Sequence, residues 1–212
     1  MSRIAIFGAG GRAGRQAVAE ARRRGHEVTA VVRNPSRYRG WTDGGVRIVA
    51  GDVTSVADVA ASSAGHDAVI NAAAVYGAGT DPHAFFTNAA KALVEGLRQA
   101  GVDRLIAVGL SVLLPGPDGI RVLDSAGFPA EFRPFCLAHA AGLELLRVEG
   151  GTLDWVYVSP AGDFDHEGER TGHYDIRDHG DTAARISYAD FALTLLDETE
   201  TRRHHRHHLA VT

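Results

Sequence analysis

Apolar and polar positions along the chain fall into two alternating kinds of block. Short apolar runs recur at residues 3–7 ("RIAIF"), 26–33 ("HEVTAVVR"), 46–51 ("VRIVAG"), 67–74 ("DAVINAAA"), 102–109 ("VDRLIAVG") and 153–161 ("LDWVYVSPA"). They are short, rich in β-branched residues and bounded by glycine or polar residues, as strands buried on both faces should be. The segments between them carry helical spacing instead. In residues 12–24, Ala13, Ala17, Val18 and Ala21 share one face, and Gly25 follows as a stop. Residues 55–65 predict a helix capped by Thr54 or Ser55, and 81–101 a long helix with Asp81 and Pro82 at its start. Further helices are predicted over 137–150 and 189–198.

Strands that alternate with helices imply right-handed crossovers and a parallel sheet covered on both faces. The predicted fold class is therefore α/β, a doubly wound Rossmann sheet in a single domain over 1–212, with a small C-terminal substrate-side region. Two stretches break the alternation. Residues 111–136 contain Pro115, Pro117, Pro129 and Pro134 among glycines and lie just past a strand's C-terminal end, where a substrate loop belongs. Residues 162–187 are polar and glycine-rich, with "GHYDI" and "ARISY" as candidate hairpin strands. The terminal "RRHHRHHLAVT" reads as native sequence solvated by its charge, with strand character at its end.

Composition narrows the function. The net charge of −4 gives no global attraction for nucleic acid or an anionic membrane. Cys136 is the single cysteine, so no intrachain disulfide can form, and as a small apolar side chain it belongs in the core. The first strand begins within three residues of the N-terminus, leaving no room for a signal peptide. The apolar stretch from Leu105 is too short to span a bilayer and is broken by Gly109 and Pro115. A cytoplasmic protein, monomer or homodimer, is expected. The acidic and histidine-bearing run at 163–181 matches no metal-site spacing, so no metal is expected.

The first turn, "FGAGGRAGR", carries the main chemical signal. Gly8, Gly10 and Ala13 satisfy G-x-G-x-x-G/A, while Gly8, Gly11 and Gly14 satisfy G-x-x-G-x-x-G. Following a strand and opening a helix, either spacing brings backbone N–H groups and the positive helix end to a phosphate. The second strand ends in Arg33, 25 positions after Gly8, where an acidic residue would bind the 2′-hydroxyl of NAD and an arginine pairs with the 2′-phosphate of NADP. Arg12 within the turn adds a second cation. NADP(H) is the favoured cofactor, with NAD(H) also open.

By "FGAGGRAGR", "GDVT", "DAVINAA" and "AGVDRLIAVG" the chain resembles the extended and atypical short-chain dehydrogenases/reductases. "FPAEFRPFCLAHAAGLELLR", "GERTGHY" and "ARISYADFALTLLDE" are similar to its NAD(P)H-binding, NADH-flavin reductase branch, akin to biliverdin reductase B/flavin reductase and to NmrA-like proteins. The resemblance implies Gly8, Gly11 and Gly14 as the working triplet, with Gly10 an extra. It implies Asp52 and Val53 beside the adenine, and Ala72, Ala73 and Ala74 along the ribose and pyrophosphate. Gly109 and Ser111 would face the nicotinamide, with Ser159 and Pro160 on its other side. The chain has "VGLSVL" where that branch has a glycine-rich loop before the serine.

The tyrosine–lysine pair of most short-chain dehydrogenases is missing. Lys91 is the only lysine, and Thr87 stands four residues before it. An alcohol dehydrogenase or epimerase of that type is thereby disfavoured. Flavin reduction needs no such donor, because the product takes its proton from water and alignment supplies most of the rate. The expected activity is NAD(P)H-dependent reduction of a small conjugated acceptor, with flavin as substrate rather than tightly bound cofactor. Ser111 and His139 are the candidate catalytic residues. Phe128, Phe132, Phe135 and Trp155 are candidates for stacking or for plain core packing. Two alternatives stay open: an NmrA-like NADP(H) sensor without turnover, and a ketone or quinone reductase.

Overall fold

The computed structural model describes all 212 residues, positions 39 and 42–44 by their backbone alone. In chain order the strands are β1 (Arg3–Phe7), β2 (Glu27–Val32), β3 (Val46–Ala50), β4 (Ala68–Asn71), β5 (Arg104–Val108), β6 (Asp154–Pro160), β7 (Asp163–Asp165), β8 (Ile176–Arg177), β9 (Arg185–Ser187) and β10 (His207–Val211). The helices are α1 (Arg12–Arg23), α2 (Val56–Ser63), α3 (Pro82–Ala100), α4 (Arg133–Glu149) and α5 (Tyr188–Thr201).

Eight strands form the main sheet in the order β3-β2-β1-β4-β5-β6-β10-β8. Every pairing is parallel except that of the edge strand β8 with β10. The chain winds outward from β1 in one direction and from β4 in the other, so a crevice opens at the C-terminal ends of these two neighbours. One core layer, holding Ala17, Val18, Phe191 and Leu195, packs α1 and α5 on one face of the sheet. The other, holding Val59, Leu93, Leu97, Leu143 and Leu146, packs α2, α3 and α4 on the opposite face. This is the Rossmann-like α/β fold that the alternating pattern predicts.

The caps follow the sequence closely. Ser55 accepts a hydrogen bond from the Asp58 N–H, Asp81 accepts one from the Ala84 N–H, and α3 stops at Gly101 in the left-handed conformation. At the base of the sheet, Arg104 is wholly buried. It donates to Asp154 and Glu198 at 2.9 Å each and to the carbonyls of Glu198 and His204, tying β5 to the end of α5 and the segment before β10. A buried cation persists only when its donors are met in this way.

Three expectations are corrected. The irregular segment ends earlier than predicted, because α4 begins at Arg133 rather than 137. Pro134 sits in the first turn, where no N–H is required, and the Cys136 N–H already bonds to the Phe132 carbonyl. The two candidate hairpin strands do not pair with each other: β8 joins β10, and β9 runs parallel to β7 in a separate small sheet. The charged C-terminus is not solvated throughout, since His208, Leu209, Ala210 and Val211 are buried between β6 and β8. Among the described residues, no helix is long and apolar enough to cross a membrane.

Candidate functional site

The turn after β1 shows why each glycine is there. Gly8 has φ +70°, and a Cβ on it would come within 2.6 Å of the Ala72 and Ala73 backbone at the end of β4. Gly14 lies where α1 crosses β1, and a Cβ there would run into the Gly8 carbonyl and lie 2.8 Å from the Ala9 Cα. Gly11 caps α1, and a Cβ on it would meet only the Gly8 oxygen, at 3.3 Å. One glycine thus makes the turn, one lets helix and strand touch, and one leaves the helix N-terminus open to a ligand. Gly10 answers to something else: the Tyr38 hydroxyl occupies the space a Cβ would need. Ala13 follows in the first turn of α1 and is half-buried.

Cations surround this turn. Arg12 and Arg33 are exposed, and among the described residues neither has a carboxylate partner. Arg15 donates to the Gly10 carbonyl at 3.0 Å and lies 5.7 Å from the ring centres of both Tyr38 and Trp41. At the other end of α1, Arg23 and Arg24 are balanced by a carboxylate. Arg23 and Arg24 hydrogen-bond Glu20 at 2.6–2.8 Å, and together with burial, which opposes them, they bring its carboxyl down to about 2.

The remaining expected residues line the same edge of the sheet. The Asp52 carboxylate is held by the backbone and hydroxyl of Thr54 at 2.9 and 2.7 Å, and Val53 is buried beside it. Ala72 and Ala73 are half-buried and Ala74 is exposed, just beyond β4. Gly109 extends β5, its N–H donating to the Val158 carbonyl at 2.7 Å, and a Cβ on it would strike the Tyr157 ring. Ser111 is buried, and its hydroxyl donates to the Ala161 carbonyl just past Pro160. The Asp181 N–H also donates to Ala161, and the Gly180 N–H to Pro115, so the 111–136 and 162–187 loops are joined at this point. Ser159 is buried and shares a 3.0 Å hydrogen bond with His208.

His139 sits deeper. Its Nδ1 lies 2.7 Å from the Tyr157 hydroxyl, and its ring packs 3.7 Å from the Phe86 centroid and 4.9 Å from that of Phe135. It lines a cavity of about 30 Å³ with Asn71, Phe86 and Tyr157, room for about one water. Burial pushes its imidazole down to about 3, so the ring is neutral in ordinary buffers. The buried Tyr157 phenol satisfies its hydrogen by donating to Nδ1, which leaves Nε2 carrying the ring hydrogen. Burial pushes the Tyr157 phenol upward, and the sole lysine, Lys91, is exposed on α3, so no tyrosine–lysine pair forms.

Of the four stacking candidates, Trp155 is core and Phe135 joins the Phe86–His139 cluster. Phe128 is half-buried with the Arg133 guanidinium over its ring, and Phe132 is 59% exposed at the head of α4. Sequence reasoning missed Tyr76, 79% exposed on the loop after Ala74, and His166, whose Nδ1 contacts the Arg12 guanidinium. It also missed the contact of Tyr38 with the glycine turn, for which the surplus Gly10 was the available signal.

Fold and site together define a Rossmann-like α/β protein with a crevice at its glycine turn. Residues 8–200 match the NAD(P)H-binding family, and the chain belongs to it. The chain is 35% identical over 211 residues to the Bacillus subtilis protein YwnB, itself uncharacterized, covering 95% of this chain and 94% of that one. A solved structure from Streptococcus pneumoniae, provisionally named an NADH-flavin reductase, is 33% identical over 100% of this chain and 99% of its own, with a TM-score of 0.82. Another, from Burkholderia pseudomallei and provisionally named an exported protein, is 35% identical over the full length of both chains, with a TM-score of 0.84.

Proposed function

We propose that the protein is an NADPH-dependent reductase that passes hydride to a flavin or a similarly flat conjugated acceptor, which binds as substrate. The observation that carries this reading is the open helix N-terminus at Gly11, flanked by Arg12 and Arg33 with no carboxylate to neutralise them among the described residues. A Cβ on Gly11 would meet only the Gly8 oxygen, which supports the approach of a dinucleotide phosphate to this helix end. In this reading the Gly8–Gly14 turn with Ala13 and Arg12 holds the pyrophosphate, Arg33 selects the 2′-phosphate, and Asp52 and Val53 border the adenine. Ala72, Ala73 and Ala74 follow the ribose, and Gly109, Ser111, Ser159 and Pro160 frame the nicotinamide. NAD(H) would be the weaker cofactor.

The bound nicotinamide supplies the hydride, and the protein's part is alignment and exclusion of water. Ser111 and His139 then act as positioning groups. Ser111 spends its hydroxyl hydrogen on Ala161, and it anchors the two loops that border the acceptor. His139, neutral and bonded to Tyr157, presents an N–H to the small cavity at the ends of β4 and β5. Phe132 and Tyr76 offer exposed aromatic faces for a flat ring. The provisional name of the Streptococcus pneumoniae relative supports the choice of flavin.

The test is loss of NADPH absorbance with FMN, FAD or a quinone as acceptor, beside NADPH binding followed by fluorescence. Acceptor-dependent oxidation is expected, faster with NADPH than with NADH. Tight binding without turnover on any acceptor would replace the reductase with an NADP(H) sensor.

A further inference from the structure

The loop that follows β6 was expected on the acceptor side, yet its first half lies along α1. Phe164 stacks on Tyr188 at 4.0 Å and meets Phe191 edge-on at 5.0 Å. Arg170 reaches Glu20 on α1 at 3.6 Å. The backbone N–H groups of Thr171 and Gly172 and the Thr171 hydroxyl donate to Asp190 at 2.8–3.0 Å, and the Tyr174 hydroxyl donates to Asp197. A segment fastened at this many points holds its side chains in fixed places. His166 is the one it carries to the glycine turn, where Nδ1 contacts the Arg12 guanidinium and the ring meets Tyr188 edge-on at 5.6 Å.

A guanidinium and an imidazole in contact, neither with a carboxylate partner among the described residues, make an anion clamp. Arg12 only donates, so the imidazole accepts from it at Nδ1 and keeps its Nε2–H for another acceptor, and both groups stand at the N-terminal end of α1. We propose that His166 is a cofactor-binding residue, donating from its imidazole to the pyrophosphate alongside Arg12. The phosphates are thereby held from two sides: by the α1 backbone within, and by the loop after β6 from outside. This assignment rests on the dinucleotide reading above, and it makes the 163–174 loop part of the cofactor site.

The experiment measures affinities of wild type, His166→Ala and His166→Phe for three probes: NADPH, ADP-ribose and adenosine 2′-monophosphate. The first two contain a pyrophosphate and the third does not. Phenylalanine keeps an aromatic ring against Tyr188 and removes only the donor. Both variants are expected to bind NADPH and ADP-ribose about tenfold more weakly, as loss of one charge-assisted hydrogen bond implies, and to bind adenosine 2′-monophosphate like wild type. Their melting temperatures should match wild type. Undiminished NADPH binding by His166→Phe would overturn the assignment and make His166 a packing residue. Equal losses for all three probes would also overturn it, because the damage would then be general. A wild-type protein that binds neither NADPH nor ADP-ribose would overturn the dinucleotide reading together with this one.

Discussion

At the scale of single residues, the glycines separate fold from function in a way that can be measured. Gly14→Ala places a methyl against the backbone of Gly8 and Ala9, which cannot step aside, so it should cost about 1–3 kcal/mol in chemical denaturation. Gly11→Ala meets a single oxygen at 3.3 Å. Its stability should fall by less, roughly 0.5–1 kcal/mol, because alanine is a poorer N-cap and the Gly8 oxygen must give slightly, while dinucleotide affinity falls, since the methyl stands where a phosphate must approach. Undiminished dinucleotide affinity in Gly11→Ala would remove the distinction between a packing glycine and a ligand glycine. Arg33 sets the other residue-scale expectation. Arg33→Asp should weaken NADPH binding by about tenfold or more, because it replaces a charge-assisted pair with repulsion, and should leave NADH little changed. Parallel losses for both nucleotides would show that Arg33 does not read the 2′-phosphate.

At the scale of elements, what the sequence disclosed follows from the range over which each signal acts. Six of the seven parallel strands of the main sheet and four of the helices were legible because periodicity and caps are local: Asp81, Pro82 and Gly101 bracket α3 without reference to anything else. The start of α4 was misplaced because Pro134 was read as a breaker, although a proline is at home in a helix's first turn. "ARISY" marked β9, but its partner β7 is three residues long and pairs with it 22 positions away, which leaves no local signal of the pairing. The site divides in the same way. Glycine spacing and Arg33 are local, whereas the contacts Tyr38–Gly10 and His166–Arg12 exist only through the fold. The element that makes the second contact is the 163–174 loop, fastened by Asp190. Burial works against the charge of Asp190, but the donors on Thr171, Gly172 and Ser187 hold its carboxyl below the usual range. Asp190→Ala should therefore free the loop, raise amide exchange at Thr171 and Gly172, and cost roughly 1.5–3 kcal/mol. Unchanged exchange there would mean that the aromatic stack of Phe164 on Tyr188 holds the loop by itself.

At the scale of the whole molecule, two buried imidazoles tie stability to pH. His139 lies in the layer between the sheet and α3 and α4, and His208 lies on β10 against Tyr157 and Ser159. Burial pushes each down to about 3, helped for His208 by nearby Arg147 and His207. The unfolded chain has no such burden and titrates near 6.5. Below that pH the unfolded state takes up protons that the folded state refuses, so stability falls as pH falls, and it stays full above it. One pH unit below 6.5, the linkage removes roughly 1.4 kcal/mol for each histidine, before most carboxylates begin to titrate. Chemical denaturation between pH 7.5 and 5, for wild type and for His208→Gln, tests this directly. The slope of stability against pH should drop by about half in the variant over that window, whatever its absolute stability. Superimposable slopes would show that His208 takes up a proton inside the folded protein, and that β10 is less firmly closed over it than its burial implies.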